Sequence, residues 1–223
     1  MNKLNGYDPL ARVYRLIEFV AFGRALERVR FRHFDRLRNC KRILLLGDGD
    51  GRGLALACRL APDAQIDSVD FSAGMLDRAA RRLNPADRRR VNLRQADALT
   101  APFPTGTYDA VTTLFFLDCF SEVQVRALIE HIRPSLTPDA LWLYADFALP
   151  PCGWARVRAQ VWLSLMFAFF RWQTHLATRS LPPSETLLHT AGFHLVAETS
   201  WQGGFLRSVV FRFEPICHLI SDK

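Results

Sequence analysis

From Arg42 onward, short apolar runs alternate with segments of helical length, and this alternation limits the fold more than any other feature of the chain. RILLL (42–46), AQIDSVD (64–70), RVNLRQA (90–96), YDAVTTLFF (108–116) and ALWLYADF (140–147) read as strands. GLALACRLA, SAGMLDRAARRL and SEVQVRALIEHI read as the helices between them, the last capped by Ser121. Near-continuous apolar strands separated by helices belong to a parallel sheet covered on both faces. HLVAETSW and LRSVVFRF add two closing strands. The expected fold is therefore α/β: a doubly wound, mostly parallel, seven-stranded Rossmann-like sheet.

The flanks of this pattern are helical. Leu10, Val13, Leu16, Ile17, Val20 and Ala21 follow three-four spacing, and a second helix is expected over RALERVRFRHFDRLR (24–38). After Pro150–Pro151 a long apolar helix is expected over 154–177, then a shorter one in LPPSETLLHTAGF that Gly192 ends. A length of 223 residues suits one domain. Its expected parts are an N-terminal helical cap (1–39), a core (40–150), a helical insert or lid (151–192) and C-terminal strands (193–223).

Composition excludes several classes. A hydrophobic content of 49% with 23% charged residues describes a globular chain, not a disordered one. The five cysteines form no C-x-x-C pair, so neither a disulfide framework nor a zinc site is expected, and no metal. The N-terminus lacks an apolar signal core, and the most apolar window, Val161 to Phe170, reaches across about half of a bilayer. A cytoplasmic location is expected. The net charge of +7 is carried almost wholly by arginine, with the dense run RRLNPADRRR (81–90) read as a solvated helix end and loop. No recognised nucleic-acid module or [DN]-P-P-[FYW] tetrapeptide occurs, so no nucleic-acid partner is expected.

The first strand runs into Gly47-Asp48-Gly49-Asp50-Gly51. In a doubly wound sheet such a turn lies where ligands bind. Three readings compete. A dinucleotide site needs G-x-G-x-x-G, which this turn does not match, and two aspartates would face a pyrophosphate. A calcium loop counted from Asp48 has Arg59 where the bidentate acid belongs. A cationic ligand suits the two acids. Asp70, at the end of the second strand and about twenty residues past Gly49, is placed to accept ribose hydroxyls from any adenosine cofactor. A nicotinamide-dependent reductase and a non-catalytic binding protein remain the alternatives at this point.

ILLLGDGDGRGLALA resembles the first motif of class I S-adenosylmethionine-dependent methyltransferases. VDFSAGML, RQADAL and FPTGTYDAVTTLFFLDCF follow in that family's order, so the resemblance covers about 40–147. It implies S-adenosyl-L-methionine as cofactor, held at Gly47, Asp48, Gly49 and Gly51, with Asp70 on the ribose. It further implies Phe71 and Met75 against the adenine and ribose, Asp97 beside the adenine amino group with Ala98 next to the ring, and Leu114 near the methyl donor. Leu45 departs from the family, which commonly has an acid there; Asp48 or Asp50 is expected to supply that charge.

The N-terminal segment and the insert resemble, more loosely, those of ubiquinone- and menaquinone-biosynthesis C-methyltransferases. That likeness implies a small apolar or aromatic acceptor (quinone, phenol, polyketide or lipid-like), methylated on carbon or oxygen. Asp118 and Asp146 at strand ends are the candidate catalytic acids, with Tyr14, and Tyr7 near it, at the mouth. The insert helix, flanked by Arg156, Arg158 and Arg171, is a candidate lid or peripheral membrane contact.

Overall fold

A computed structural model describes residues 25–174 and 181–214. Seven strands, β1 (Arg42–Leu46), β2 (Gln65–Asp70), β3 (Val91–Gln95), β4 (Tyr108–Leu114), β5 (Leu136–Phe147), β6 (Phe193–Trp201) and β7 (Leu206–Phe213), form one sheet in the order β3-β2-β1-β4-β5-β7-β6. The helices are α1 (Ala25–Arg30), α2 (Arg52–Leu60), α3 (Ala73–Arg82), α4 (Glu122–Ile132), α5 (Gly153–Thr174) and α6 (Ser184–Thr190).

The sheet is mixed rather than mostly parallel, which corrects the expectation. The four ladders from β3 to β5 are parallel, but β7 runs antiparallel to both β5 and β6. The cause is the short Gln202–Gly204 connection, too tight for the crossover that a parallel pair requires. Long helical connections produce the parallel part; one tight turn produces the rest.

β1 shows why its sequence is apolar without interruption. Ile43 and Leu45 point to one side, with Leu54 and Ala57 of α2, Val29 of α1, and Phe34 and Leu37. Leu44 and Leu46 point to the other, with Leu128 and Ile129 of α4. All four β1 side chains are fully buried, and each contributes about 1.5–3 kcal/mol of apolar burial. Leu45 therefore belongs to the core and replaces an acid with packing.

Two boundaries differ from the expected ones. The helix expected over 24–38 breaks after Arg30, and Phe34–Asn39 is a 3-10 helix. Phe31, Phe34, Leu37 and Cys40 recur every third residue, the period that a 3-10 turn eclipses onto one side. β5 starts at Leu136, earlier than expected, because an irregularity in register between Tyr108 and Ala110 absorbs Pro138 and Asp139, the latter at φ 62°. At α4 the expected cap is observed and extended. Ser121 accepts from the Gln124 amide while the Gln124 side chain accepts from the Ser121 amide.

The chain leaves β1 toward β2 and β3, then crosses back to β4 on the other side of β1. The crevice beyond the carboxyl ends of β1 and β4 is thus the switch point of the winding, where open α/β sheets bind ligands.

Candidate functional site

The turn after β1 is anchored where the Gly47 amide donates to the Val69 carbonyl, 2.9 Å away. Gly47, Gly49 and Gly51 all take positive φ, at 64°, 64° and 82°, but their surroundings differ. A Cβ on Gly47 would fall inside the Phe116 ring, and one on Gly51 would lie 2.5 Å from the Ala79 Cα of α3. A Cβ on Gly49 would meet nothing within 4 Å. Gly49 is therefore the glycine whose backbone faces open space, whereas Gly51 lets α2 and α3 meet closely.

The two acids of the turn face inward. Asp48 accepts from the Gly53 amide at 3.1 Å and the Leu54 amide at 2.8 Å, capping α2 from inside the turn. Gly53 was not singled out from the sequence, yet only a glycine leaves room there for the Asp48 carboxylate. Burial pushes the Asp48 carboxyl up to about 7, against the pull of the Leu54 amide and the Arg30 charge. Asp50 pairs with Arg82 at 2.8 Å and Arg52 at 3.4 Å. Both acids thus have partners within the protein. The helix N-terminus and two arginines neutralise them.

Asp70 closes the turn from the neighbouring strand end. Its Oδ1 accepts from the Ser72 amide at 2.9 Å and its Oδ2 from the Gly49 amide at 3.2 Å. Burial raises its pKa, while the Ser72 and Gly49 amides oppose that rise. Phe71 beside it is half exposed, and Met75 opens the first turn of α3, its amide capped by Ser72. Beyond β3, Asp97 folds the loop by accepting from the Leu99 amide at 2.9 Å, and Ala98 is buried beneath it. Leu114 ends β4, buried at the same rim.

After Leu114 the chain turns sharply. Phe115 takes φ 55°, a left-handed conformation that a bulky side chain adopts only where its surroundings hold it. Its amide donates to the Ala145 carbonyl at 2.7 Å, its ring packs edge-on against Phe147, and the Arg30 guanidinium lies over it, 5.2 Å from the centroid. Phe116 is thereby laid over Gly47. Among the candidate acids, Asp146 is buried, with Oδ1 accepting from the Phe147 amide at 2.9 Å and Oδ2 from the Asp118 amide at 3.1 Å. Burial, and then the Asp118 charge, hold its pKa well above the usual carboxylate range. Asp118 is half-buried in the short turn beside it. Tyr7 and Tyr14 lie outside the described residues, as do the terminal parts of the cap.

Sequence reasoning thus brought Gly49, Asp70, Phe71 and Met75 to one rim, with Leu114 and Asp118 along the ends of the central strands. It missed Arg30, which nothing in the sequence separates from the other arginines, and the Phe116 contact with Gly47. Among the described residues, no group of three or more His, Cys, Asp or Glu is placed to hold a metal ion.

Residues 43–139 match a family described as a methyltransferase domain. That match begins in β1 and takes in the glycine turn, Asp70 and Asp118, but stops short of Asp146. Over these residues the chain is similar to a methyltransferase domain. The domain resembles the demethylmenaquinone methyltransferase of Thermus thermophilus, 38% identical over 113 residues that make up 51% of this chain and 50% of that protein. The demethylmenaquinone methyltransferase of Deinococcus radiodurans is 31% identical over 147 residues, 66% of this chain and 58% of that protein. The chain spans about half the length of the curated relatives it matches.

In three dimensions, the N-methyltransferase NodS from Bradyrhizobium japonicum superposes with a TM-score of 0.59 at 19% identity, covering 85% of this chain and 97% of that one. The mitomycin 7-O-methyltransferase MmcR superposes with a TM-score of 0.66 at 16% identity, covering 95% and 61%. At such identities the likeness shows the fold of the methyltransferase domain, and one fold serving nitrogen and oxygen acceptors does not choose the acceptor.

Proposed function

We propose that this chain transfers the methyl group of S-adenosyl-L-methionine to carbon or oxygen of an apolar, quinone-like aromatic molecule, and that it does so as a single domain. The observation that carries this reading is the rim formed by Gly49 and Asp70. An unobstructed backbone faces the switch-point crevice there, and a carboxylate bonded to it has lone pairs left for two hydroxyls. The half-exposed Phe71 and Met75 suit an adenine, and Asp97, Ala98 and Leu114 complete the rim. The bound donor supplies an electrophilic methyl on a sulfonium.

The chain's own contribution is alignment and, for a phenolic acceptor, removal of one proton. Asp118 is the group for that proton. Asp146 is a positioning residue: both its oxygens hold backbone amides of the turns that carry Asp118 and Phe147. The demethylmenaquinone methyltransferases among the relatives support an aromatic quinone-like acceptor.

Such an acceptor partitions into lipid, and α5 has a surface that suits a bilayer carrying anionic headgroups. Trp154 is 87% exposed, and Val157 and Val161 follow it at helical spacing with half their surface free. Arg156 and Arg158 flank the stripe. Among the described residues no helix is long and apolar enough to cross a membrane.

The test is a transfer assay with donor labelled on the methyl group and a panel of reduced naphthoquinols, monophenols and amines. Label extracted with a naphthoquinol or phenol product is the expected result. Transfer confined to amines would contradict the acceptor class.

A further inference from the structure

β5 and β7 pair antiparallel, and their register sets Asp146 directly opposite Arg207. Tyr144 and Val209, two positions along each strand, belong to the core under α4 and α6, so Asp146 and Arg207 leave the sheet on that same face. An acid and a guanidinium so placed have Cβ atoms about 5 Å apart and ordinarily attract one another. Here no ion pair joins them. The Arg207 guanidinium turns instead to Glu185 of α6, its Nη2 donating to Oε2 at 2.9 Å, and to Glu198 of β6, at 2.8 Å. Asp146 is left to the backbone amides of Phe147 and Asp118.

The surroundings give this arrangement a consequence. Around Asp146 stand Asp118 and Cys119 of the turn after β4, Tyr144 on β5, Glu185 of α6 and Arg207 of β7. Arg207 is the cation of that set, and two glutamates hold it. Arg207 and Glu185 are both partly buried, so water screens their attraction little. Burial and the Asp118 charge keep the Asp146 carboxyl well above the usual range, and a guanidinium brought against it would reverse that.

We infer that Glu185 and Glu198 are positioning residues for proton removal: they hold Arg207 off Asp146, which keeps a proton on the acid pair and keeps Asp146 on the amide that places Asp118. The step they serve moves the acceptor's hydroxyl proton to Asp118; the acceptor O–H bond breaks and a carboxyl O–H bond forms. Two adjacent acids share this work only while one of them stays protonated. Released, Arg207 would ionise Asp146 and draw it from the Asp118 amide. The inference rests on the reading of Asp118 as the proton acceptor.

The test is a carbon-13 NMR titration of the full chain labelled at its aspartate carboxyls, with Asp146 assigned from Asp146→Asn, beside transfer to a reduced naphthoquinol. The wild-type Asp146 midpoint is expected above the ordinary carboxylate value of about 4. In the double variant Glu185→Gln, Glu198→Gln it is expected to fall by about 1 pH unit or more. Its kcat is expected to fall about tenfold, with KM for the donor within about twofold. Adding Arg207→Met to the double variant is expected to return the midpoint and most of kcat, which a packing defect would not allow. Glu198→Gln alone, at a half-exposed position, is expected to move the midpoint less in the same direction, and it serves if the double variant fails to fold. A wild-type midpoint near about 4, an unmoved midpoint in the variants, or identical double and triple variants would overturn the inference. So would a midpoint that moves while kcat does not. If the wild type methylates no acceptor yet the midpoint moves, the acceptor reading fails and the hold on Arg207 stands.

Discussion

At Asp48 the carboxylate sits among backbone amides inside the glycine turn, and its titration is a handle on that arrangement. With its folded-state pKa pushed up to about 7 by burial, the folded protein holds this proton more tightly than the unfolded chain does. The stability it contributes is complete below the ordinary carboxylate range and is lost as pH rises through about 7. Asp48→Asn removes the titration and keeps one acceptor for the amides. Melting temperatures between pH 5 and 8 are expected to fall more for the wild type than for the variant. Parallel curves would show that Asp48 is solvated instead.

The glycines give a second comparison at this scale. Gly51→Ala forces a Cβ to 2.5 Å from the Ala79 Cα and is expected to cost about 2–4 kcal/mol in urea unfolding, from overpacking and left-handed strain together. Gly49→Ala meets only the strain, about 1–2 kcal/mol, but places a methyl group in the ligand's path and is expected to weaken S-adenosylhomocysteine more than Gly51→Ala does. The reverse ranking in either measurement would exchange the two roles.

Among the elements, the strands were legible to the extent that burial alone defines them. β1 and β7 coincide with the expected RILLL and LRSVVFRF, because most of their positions are buried. β5 was shortened because Pro138 and Asp139 are turn residues by composition, and only the register irregularity against β4 keeps them in the strand. The direction of β7 was hidden for a different reason: an antiparallel neighbour and a parallel one bury the same residues. The cap helix was overextended because three-residue and three-four spacings look alike over so short a span. Hydrogen bonding inside the turn was the least legible feature. The letters of GDGDG give the charges but not which way Asp48 and Asp50 point.

The α5 stripe makes an element-level prediction of its own. Replacing Trp154, Val157 and Val161 together with serine removes exposed apolar surface and leaves the buried Ala159 and Leu163 in place. The expected result is a melting temperature within about 2 °C of wild type and clear loss of co-sedimentation with vesicles containing anionic lipid. Retained sedimentation would place the membrane contact elsewhere or nowhere.

For the whole molecule, the account reduces to how one sheet brings distant residues to a common rim. Winding outward to β3 and back to β4 sets Gly49, Asp70 and Phe115 around one crevice, although more than sixty positions separate the first from the last. The same winding serves nucleotide and S-adenosyl cofactors alike, so only the local chemistry distinguishes them. Here that chemistry is the Asp70 carboxylate bonded to the Gly49 amide at the end of β2, beside a turn whose acids pair within the protein.

Calorimetric titration of the wild-type chain and of Asp70→Ala, with S-adenosylhomocysteine and with NADH, tests this most directly. The account predicts saturable binding of S-adenosylhomocysteine at one site per chain, at least tenfold weaker in Asp70→Ala, and no heat from NADH. Binding of NADH by a protein indifferent to S-adenosylhomocysteine, or equal affinities for the wild type and Asp70→Ala, would contradict it.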